Sequence, residues 1–255
     1  MRIARFSREE FLRERWHYRP GEHVSLITAT QNGKTSLVYD LLCYTDTSWC
    51  SVPPTMIVAK PLDRVVATGL DALGYEEIDQ WPPPKKWFTN EQPRGYGLWP
   101  KHLLEEDDEV NNAHLAAVIK PAVRDLFARG NSICIADEIY HLCAVLNMSA
   151  QMSRHWTQGQ GMGSGLWSAT QKPSGTLQGT IPSFLYNSWS HLFLGRELTG
   201  RNRQKLSDIS GINSDLVASE VAKLKKYEWL YIHRDGPTMA VIEQGDVEHL
   251  RLAKA

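Results

Sequence analysis

The sequence lacks a charge imbalance: its 255 residues include 28 Lys and Arg against 29 Asp and Glu, a formal net charge of -1. The protein therefore cannot bind nucleic acid through an overall positive charge, and a polyanionic partner would have to bind a local basic patch. Apolar runs long enough to span a bilayer are also missing, and charged residues interrupt the first ten positions. We expect a cytoplasmic protein without membrane insertion.

Cysteine is scarce, and none of the four cysteines belongs to a Cys-x-x-Cys pair. They are Cys43, Cys50, Cys134 and Cys143. Cys134 lies inside an apolar stretch that is typical of a buried strand. We expect free thiols in a reducing cytosol rather than a zinc site.

Repeats, low-complexity segments and obvious domain boundaries are absent as well. The length suits one large α/β domain, which we place over residues 21–245. A capping-box pattern at Ser7 to Glu10 predicts a helical N-terminal extension over residues 1–20, and residues 246–255 form a tail. Two apolar runs joined by Asp235-Gly236-Pro237 predict a C-terminal β-hairpin.

The most informative stretch that is present runs from Val24 to Val38: an apolar run, a polar turn, Gly-Lys-Thr, and apolar residues again. This order predicts a strand, a phosphate-binding loop and a helix whose N-terminus attracts anions. Lys34 would reach the β- and γ-phosphates of a triphosphate, and the Thr35 hydroxyl would bind Mg²⁺. The predicted nucleotide-binding residues are Thr30, Gln31, Asn32, Gly33, Lys34, Thr35 and Ser36.

One position departs from the phosphate-loop pattern, because Thr28 stands where the pattern begins with glycine. The opening residue shapes the turn, whereas the Gly-Lys-Thr end contacts the phosphates. The alternative is a chance Gly-Lys-Thr on a surface turn. The preceding strand and the following amphipathic run favour the phosphate loop.

A second apolar strand, from Ile133 to Ala136, delivers two carboxylates at its end, Asp137 and Glu138. In open α/β sheets, ligands bind at that end of the strands. Asp137 would hold Mg²⁺ through water, and Glu138 would polarise the attacking water as a general base. An ordinary turn is the alternative, which the upstream Gly-Lys-Thr disfavours.

A third apolar strand, from Gly165 to Ala169, ends in Thr170 and Gln171. An amide beside the γ-phosphate can sense whether that phosphate is present and signal to neighbouring loops. We assign this sensor role to Gln171. Taken alone, the segment is an unremarkable strand exit.

Together the three stretches resemble the HerA/FtsK superfamily of ring-forming ATPases, especially the small genome-packaging ATPases of double-stranded DNA viruses. The Ala-Thr-Gln-Lys-Pro run at residues 169–173 is the most discriminating part of the resemblance. It implies an α/β, RecA-like P-loop (ASCE) domain with a mostly parallel central sheet flanked by helices.

The resemblance also implies an activity, two cofactors and several partners. The activity is ATP hydrolysis coupled to movement of double-stranded DNA, with ATP and Mg²⁺ as cofactors. The chain would form a homo-oligomeric ring, a pentamer or a hexamer, and would meet a viral portal or capsid vertex in the host cytoplasm. Such rings place ATP sites at subunit interfaces and DNA in the central channel.

An arginine acting on a neighbour's nucleotide is expected as well, since transition-state charge needs a cation. Family members commonly carry Gly-Arg where this chain has Gly159-Gln160, which leaves the finger unassigned. Arg154 is the first substitute, being nearest in sequence, followed by Arg196 and Arg201. A surface or salt-bridge role is the alternative for each.

Candidate DNA contacts come mainly from a loop that mixes basic and aromatic residues around three prolines, Trp81 to Phe88. Cations suit phosphates and rings suit stacking, although a polyproline spacer on the surface is the alternative. The candidates are Lys85, Lys86, Arg94 and Lys172.

Two other functions remain open. A small-molecule kinase also needs Gly-Lys-Thr, although Glu138 directly after Asp137 favours activation of water. A nucleotide-dependent assembly or regulatory module on the same fold would hydrolyse nothing, and the intact Lys34, Thr35, Asp137 and Glu138 disfavour it. A GTPase is weaker still, because the run Asp137-Glu138-Ile139-Tyr140 does not match the Asp-x-x-Gly switch pattern.

Overall fold

A computed structural model describes residues 3–61, 64–84, 92–171, 187–235 and 238–245. Its strands are β1 (Ala4–Phe6), β2 (Val24–Ile27), β3 (Thr55–Ile57), β4 (Glu76–Ile78), β5 (Tyr96–Leu98), β6 (Ser132–Ala136), β7 (Ser164–Thr170), β8 (His191–Gly195), β9 (Trp229–His233) and β10 (Thr238–Ile242). Its α-helices are α1 (Arg8–Glu14), α2 (Lys34–Cys43), α3 (Arg64–Leu73), α4 (Asp108–Arg129), α5 (Ser149–Gln158), α6 (Gly200–Ser210) and α7 (Ser214–Lys223).

All the described strands belong to one sheet, in the order β1-β10-β9-β8-β2-β7-β6-β3-β5-β4. The strands from β8 to β4 in this order are mutually parallel. β9 is antiparallel to both β8 and β10, which gives the predicted C-terminal hairpin. The predicted fold class, a mostly parallel sheet flanked by helices, is confirmed.

Helices cover both faces of the sheet because side chains alternate along each strand. In β6, Ile133 and Ile135 pack with α1, α2 and α3, whereas Cys134 and Ala136 pack with α4, α5, α6 and α7. The sheet is therefore buried on both faces, as the apolar character of its parallel strands requires.

The N-terminal segment belongs to the same core. The Ser7 hydroxyl accepts a hydrogen bond from the Glu10 amide and caps α1, as predicted. However, β1 pairs with β10, and Phe11, Leu12 and Trp16 are buried. Residues 3–20 thus contribute one strand to the sheet and several apolar side chains to the core.

The longest helix, α4, continues through Pro121 and runs over 22 residues from Asp108 to Arg129. All four cysteines are free thiols, and Cys134 and Cys143 are buried. Among the described residues, no helix combines the length and hydrophobicity needed to cross a membrane.

Candidate nucleotide site

The order of strands brings the three polar strand ends together. β7 lies directly between β2 and β6, and all three are parallel. Their carboxyl ends therefore share one edge of the sheet, where the loop after β2, the acid pair after β6 and the amide after β7 meet. We call this edge the nucleotide edge.

The loop after β2 turns tightly into α2. Gly33 is the N-cap of α2 with φ +80, a left-handed conformation that favours glycine. The Lys34 ammonium donates hydrogen bonds to the carbonyl oxygens of Thr28 at 3.0 Å and Ala29 at 3.1 Å. The Lys34 side chain thus packs along the loop, and its ammonium can contact an anion bound at the N-terminus of α2.

Thr28, the residue that departs from the phosphate-loop pattern, has a structural role. Its hydroxyl accepts a hydrogen bond from Nδ2 of Asn32 at 3.2 Å, which ties the two ends of the loop together. Its side chain also packs against Gly195, where an added Cβ would lie 2.1 Å from Thr28 Oγ1. A threonine here therefore holds the loop by side-chain contacts.

Asp137 lies at the centre of the site and is 3 % exposed. The Thr35 hydroxyl donates to its Oδ1 at 3.1 Å. Its Oδ2 lies 2.7 Å from the ammonium of Lys60, which follows β3. A hydroxyl and a carboxylate, both hard oxygen donors that Mg²⁺ prefers, are thus held in contact.

Lys60 is a site residue that the sequence did not reveal. A lysine after an apolar strand has no diagnostic spacing, and its place depends on β3 pairing beside β6. The only available signal was its position at the carboxyl end of a buried strand. Its charge balances Asp137 in the protein alone.

Glu138 is half-buried beside Asp137. Burial raises the pKa of Glu138 above its ordinary value, while the charge of Lys34 and the Gln171 side chain act to lower it. Its Oε1 is buried and has no hydrogen-bond partner among the described residues. An acceptor of this kind suits a general base that waits for a water molecule.

Lys34 lies in the same buried environment as Glu138 but carries the opposite charge. Burial lowers the pKa of Lys34, while the nearby carboxylates of Glu138 and Asp137 raise it. Lys60 lowers it further by charge repulsion. Two cations and two carboxylates therefore interact within one small region.

Gln171 joins the phosphate loop to the acid pair. Its Oε1 accepts a hydrogen bond from the Thr30 hydroxyl at 2.9 Å. Gln171 also contributes a hydrogen bond that favours the ionised form of Glu138. The Gln171 amide thus connects the loop after β2 with Glu138 after β6.

No protein-family model matches the sequence, and no curated protein matches it. Solved structures do match. B204, the DNA-packaging ATPase from Sulfolobus turreted icosahedral virus, superimposes with a TM-score of 0.59 at 14% identity, over 90% of this chain and 100% of that one. VirB4 of Thermoanaerobacter pseudethanolicus gives a TM-score of 0.64 at 10% identity, over 89% and 91%.

A third match carries a nucleotide analogue. The genome-packaging NTPase B204 from Sulfolobus turreted icosahedral virus 2, in complex with AMPPCP, gives a TM-score of 0.53 at 14% identity, over 89% of this chain and 100% of that one. This chain has the P-loop ATPase fold. The resemblance to small viral packaging ATPases that the sequence indicates is thus confirmed at the level of the fold.

The candidate arginines occupy different places on this P-loop ATPase fold. The guanidinium of Arg154 lies 4.8 Å from the ring centroid of Phe127, in the last turn of α4 before β6 begins. It is therefore near the edge opposite the nucleotide edge. Arg196 is exposed and directly follows β8, which pairs with β2, and Arg201 lies in the first turn of α6.

The candidate DNA contacts are mostly outside the described residues, which applies to Lys85, Lys86 and Lys172. Arg94 is described: it is exposed and lies next to Gly74, just before β5 begins. It therefore belongs to the edge opposite the nucleotide edge.

The residues present fit Mg²⁺ and a nucleotide. Thr35 and Asp137 offer paired oxygen donors, and the Lys34 ammonium lies at the start of α2. Glu138 holds an unpartnered acceptor in the same region. Thr30 and Gln31 on the loop and Ser36 in the first turn of α2 are exposed to solvent, so a ligand can reach this segment.

Proposed function

We propose that this chain hydrolyses ATP with Mg²⁺ and that hydrolysis in an oligomeric ring drives double-stranded DNA, as the subunit of a viral genome-packaging motor. One observation carries the proposal: Lys34, Thr35, Asp137 and Gln171 converge at the carboxyl ends of β2, β6 and β7. The shared fold with packaging ATPases supports the motor function.

The roles follow from the geometry of the chain. The backbone of residues 30–36 and the Lys34 ammonium bind the phosphates, and Thr35 and Asp137 hold Mg²⁺. When bound, Mg²⁺ neutralises charge that develops on the phosphates. Glu138 accepts the proton of the attacking water, for which its unpaired Oε1 is available.

Gln171 is the residue that we propose couples chemistry to movement. Its amide contacts both the phosphate loop through Thr30 and the base Glu138. A change at the γ-phosphate therefore reaches β7 and the segment after it, where Lys172 stands. Lys85, Lys86, Arg94 and Lys172 are the proposed contacts to the DNA backbone.

For the arginine finger, the structure favours Arg196 over Arg154. Arg196 is exposed at the nucleotide edge, whereas Arg154 packs on Phe127 near the opposite edge. A finger must reach a neighbour's nucleotide in the ring, so either side chain can act only after assembly. We therefore propose Arg196 as the first candidate, with Arg201 close behind it.

Phosphate release tests the proposal directly. The wild type, Lys34→Ala and Glu138→Gln are compared with and without duplex DNA, and Lys101→Ala serves as a matched control because its side chain is 83% exposed. We expect duplex DNA to stimulate the wild type and Lys101→Ala, and both site variants to be inactive. Glu138→Gln should still bind nucleotide, because it leaves the loop intact.

The same assay separates the alternatives. Nucleotide binding without hydrolysis would support an assembly or regulatory module. Phosphate transfer to an added small acceptor would support a kinase. ATP hydrolysis at a rate that duplex DNA does not change would support the proposed ATPase activity but contradict the proposed motor function.

The proposed DNA contacts have their own test. Replacing Lys85 and Lys86 together by Ala should weaken duplex binding and reduce the slope of affinity against salt concentration, as loss of phosphate contacts does. An unchanged slope in the double variant would exclude these two lysines. Native mass spectrometry with an ATP analogue and DNA would give the number of subunits.

A further inference from the structure

A second cluster of chemical groups lies at the edge of the sheet opposite the nucleotide edge. Glu22 precedes β2, His191 opens β8, and His233 closes β9. One ligand atom from each of these three side chains can be chosen so that all lie within 4.8 Å of one another. These residues are remote in sequence, so only the fold brings them together.

Strand register explains why they meet. His191 pairs directly with His233 across the antiparallel β8–β9 ladder, and with Val24 across the parallel β8–β2 ladder. Directly opposed residues in an antiparallel pair have Cβ atoms about 4.5–5.5 Å apart. Accordingly, the two imidazole rings have centroids 4.8 Å apart.

The cluster is held in place by its neighbours. Nε2 of His191 lies 2.9 Å from Oε2 of Glu22, and Nδ1 of His191 lies 2.9 Å from the Tyr231 hydroxyl. The Arg19 amide donates a hydrogen bond to Oε2 of Glu22 at 2.7 Å. Metal-binding histidines commonly use their second ring nitrogen for such a hydrogen bond, which fixes the tautomer and the ring orientation.

Access to the cluster is open on one side. A cavity of about 460 Å³ is lined by Glu22 and His233, together with His17, Arg19 and Asp235. His191 and Glu22 are buried, whereas His233 is half-buried and borders the cavity. The site thus combines two buried donors, one donor at the cavity wall and a route for an ion and water.

We propose that Glu22, His191 and His233 bind one Zn²⁺ ion, with water or Asp235 in the fourth position. Two imidazoles and one carboxylate form a donor set that zinc accepts with an open position, whereas Mg²⁺ and Ca²⁺ prefer oxygen alone. Zinc ligands in tetrahedral positions lie roughly 3.4 Å apart, so the widest pair must close by about 1.4 Å.

The proposed zinc ties three strands together. It would join the start of β8 and the segment before β2 to the end of β9, and thus fix the β9–β10 hairpin to the central sheet. β2 and β8 carry the phosphate loop and Arg196 at their other ends. The site is independent of the proposed ATPase activity, because it lies at the opposite edge.

Zinc binding is measured on the full chain without a histidine tag, after removal of metals with a chelator. ZnCl₂ is titrated by calorimetry, and bound zinc is counted by elemental analysis after gel filtration. We expect one zinc per chain and a higher melting temperature. Cobalt(II) in its place should give the visible absorption of a four-coordinate nitrogen and oxygen site.

Variants assign the ligands. His233→Gln is the main one, because this half-buried residue can be changed with little effect on the core, and it should lower zinc affinity at least tenfold. Tyr231→Phe keeps every ligand and removes one supporting hydrogen bond, so it should lower affinity by roughly 10–100-fold. His114→Gln, on α4, is the matched control and should bind zinc as the wild type does.

Two further controls exclude other zinc sites. Asp137→Asn and the double variant Cys43→Ser with Cys50→Ser should keep the zinc that is lost in His233→Gln. The proposal is overturned if the wild type retains no zinc, or if His233→Gln retains as much as the wild type. In that case the Glu22–His191 contact is an ordinary buried hydrogen bond.

Discussion

The Thr30 hydroxyl donates a hydrogen bond to Oε1 of Gln171 at 2.9 Å, and so links the phosphate loop to the end of β7. The amide of Gln171 also favours the ionised form of Glu138. A phosphate bound among Thr30, Gln171 and Glu138 would therefore change the interactions of all three residues. The contact is exposed, and a bound phosphate can replace it at little cost.

Gln171→Ala tests whether this amide senses the γ-phosphate. We expect ATP hydrolysis to fall by about 10²-fold, since positioned hydrogen-bonding groups contribute on this order. ATP affinity should change only a few-fold, because Lys34 and the loop backbone remain. Steady-state phosphate release and fluorescence titration with an ATP analogue measure the two quantities separately.

Thr30→Val is the companion variant. It removes the hydroxyl that holds Gln171 in the protein alone but leaves the amide free to act. Its effect on hydrolysis should therefore be much smaller than that of Gln171→Ala. Equal losses would show that the Thr30 contact itself, rather than sensing by Gln171, supports activity.

Lys60 should matter most when no metal is bound. Lys60→Met removes the cation 2.7 Å from the buried Asp137, so the nucleotide-free protein should lose roughly 1–2 kcal/mol of stability. Mg²⁺ with a non-hydrolysable ATP analogue supplies a new cation, and the difference in melting temperature from the wild type should shrink.

The control for Lys60 is Lys101→Met. Lys101 pairs with Asp79 at 3.4 Å, but both side chains are well exposed, so its loss should have little effect under either condition. A destabilisation of Lys60→Met that persists unchanged with Mg²⁺ and nucleotide would contradict the proposed exchange of cations at Asp137.

A finger at Arg196 predicts complementation between two inactive variants. Arg196→Ala should reduce hydrolysis by about 10³-fold or more without weakening ATP binding. Glu138→Gln should also be inactive. Mixed rings should recover part of the activity, because some interfaces pair an intact Glu138 with an intact Arg196 from the neighbour.

Arg154→Ala provides the comparison. Its contact with Phe127 near the opposite edge predicts nearly normal hydrolysis. If Arg154→Ala is inactive and complements Glu138→Gln instead, the finger is Arg154, as its position in sequence suggests. Phosphate release by mixtures at several ratios distinguishes the two outcomes.

Gly33 should resist substitution for two separate reasons. Its φ of +80 costs an alanine roughly 1–2 kcal/mol, and an added Cβ would lie 3.1 Å from Cδ1 of Tyr227. Gly211→Ala isolates the first reason, because Gly211 also has a positive φ of +63 but has no atom within 4 Å of the added Cβ. Chemical denaturation should show a greater loss for Gly33→Ala.

The excess loss of Gly33→Ala over Gly211→Ala should shrink when Tyr227→Ala is added, since the crowding partner is then gone. ATP affinity should fall in Gly33→Ala alone and not in Gly211→Ala. Equal stability losses in the two glycine variants would show that backbone conformation, and not the Tyr227 ring, limits this position.

The fold could be predicted from sequence because its strands are continuous apolar runs that end in recognisable polar groups. The runs before Gly33, Asp137 and Gln171 all became neighbouring parallel strands. β1 and β4 escaped prediction, because both are short and contain charged residues, Arg5 in β1 and Glu76 and Glu77 in β4, so neither forms an apolar run.

The nucleotide edge was predictable only where spacing along the chain encodes chemistry, as in Gly33-Lys34-Thr35. Lys60 and the Glu22–His191–His233 cluster depend on which strands pair and in which register. Single residues at the ends of unremarkable strands carry no such pattern. The positions of Lys60 and of the Glu22–His191–His233 cluster are therefore determined by long-range strand pairing and not by local sequence preference.

His155 should make the protein sensitive to acid. It is fully buried, its Nε2 lies 2.8 Å from the Ser164 hydroxyl, and burial lowers the pKa of His155 from 6.5 to about 3. His155 therefore becomes protonated near pH 6.5 in the unfolded chain but only near pH 3 in the folded chain. This contribution to stability is complete above pH 6.5 and is lost as the pH falls toward 3, by about 2 kcal/mol at pH 5.

Urea denaturation at about pH 7.5, 6 and 5, which covers the upper part of this pH range, measures the effect. His155→Gln cannot be protonated but can still bond to Ser164, so its stability should fall less steeply between the highest and the lowest pH. A His155→Gln protein with the wild-type slope would show that other groups cause the acid sensitivity, because removing the histidine would then have removed no linked proton.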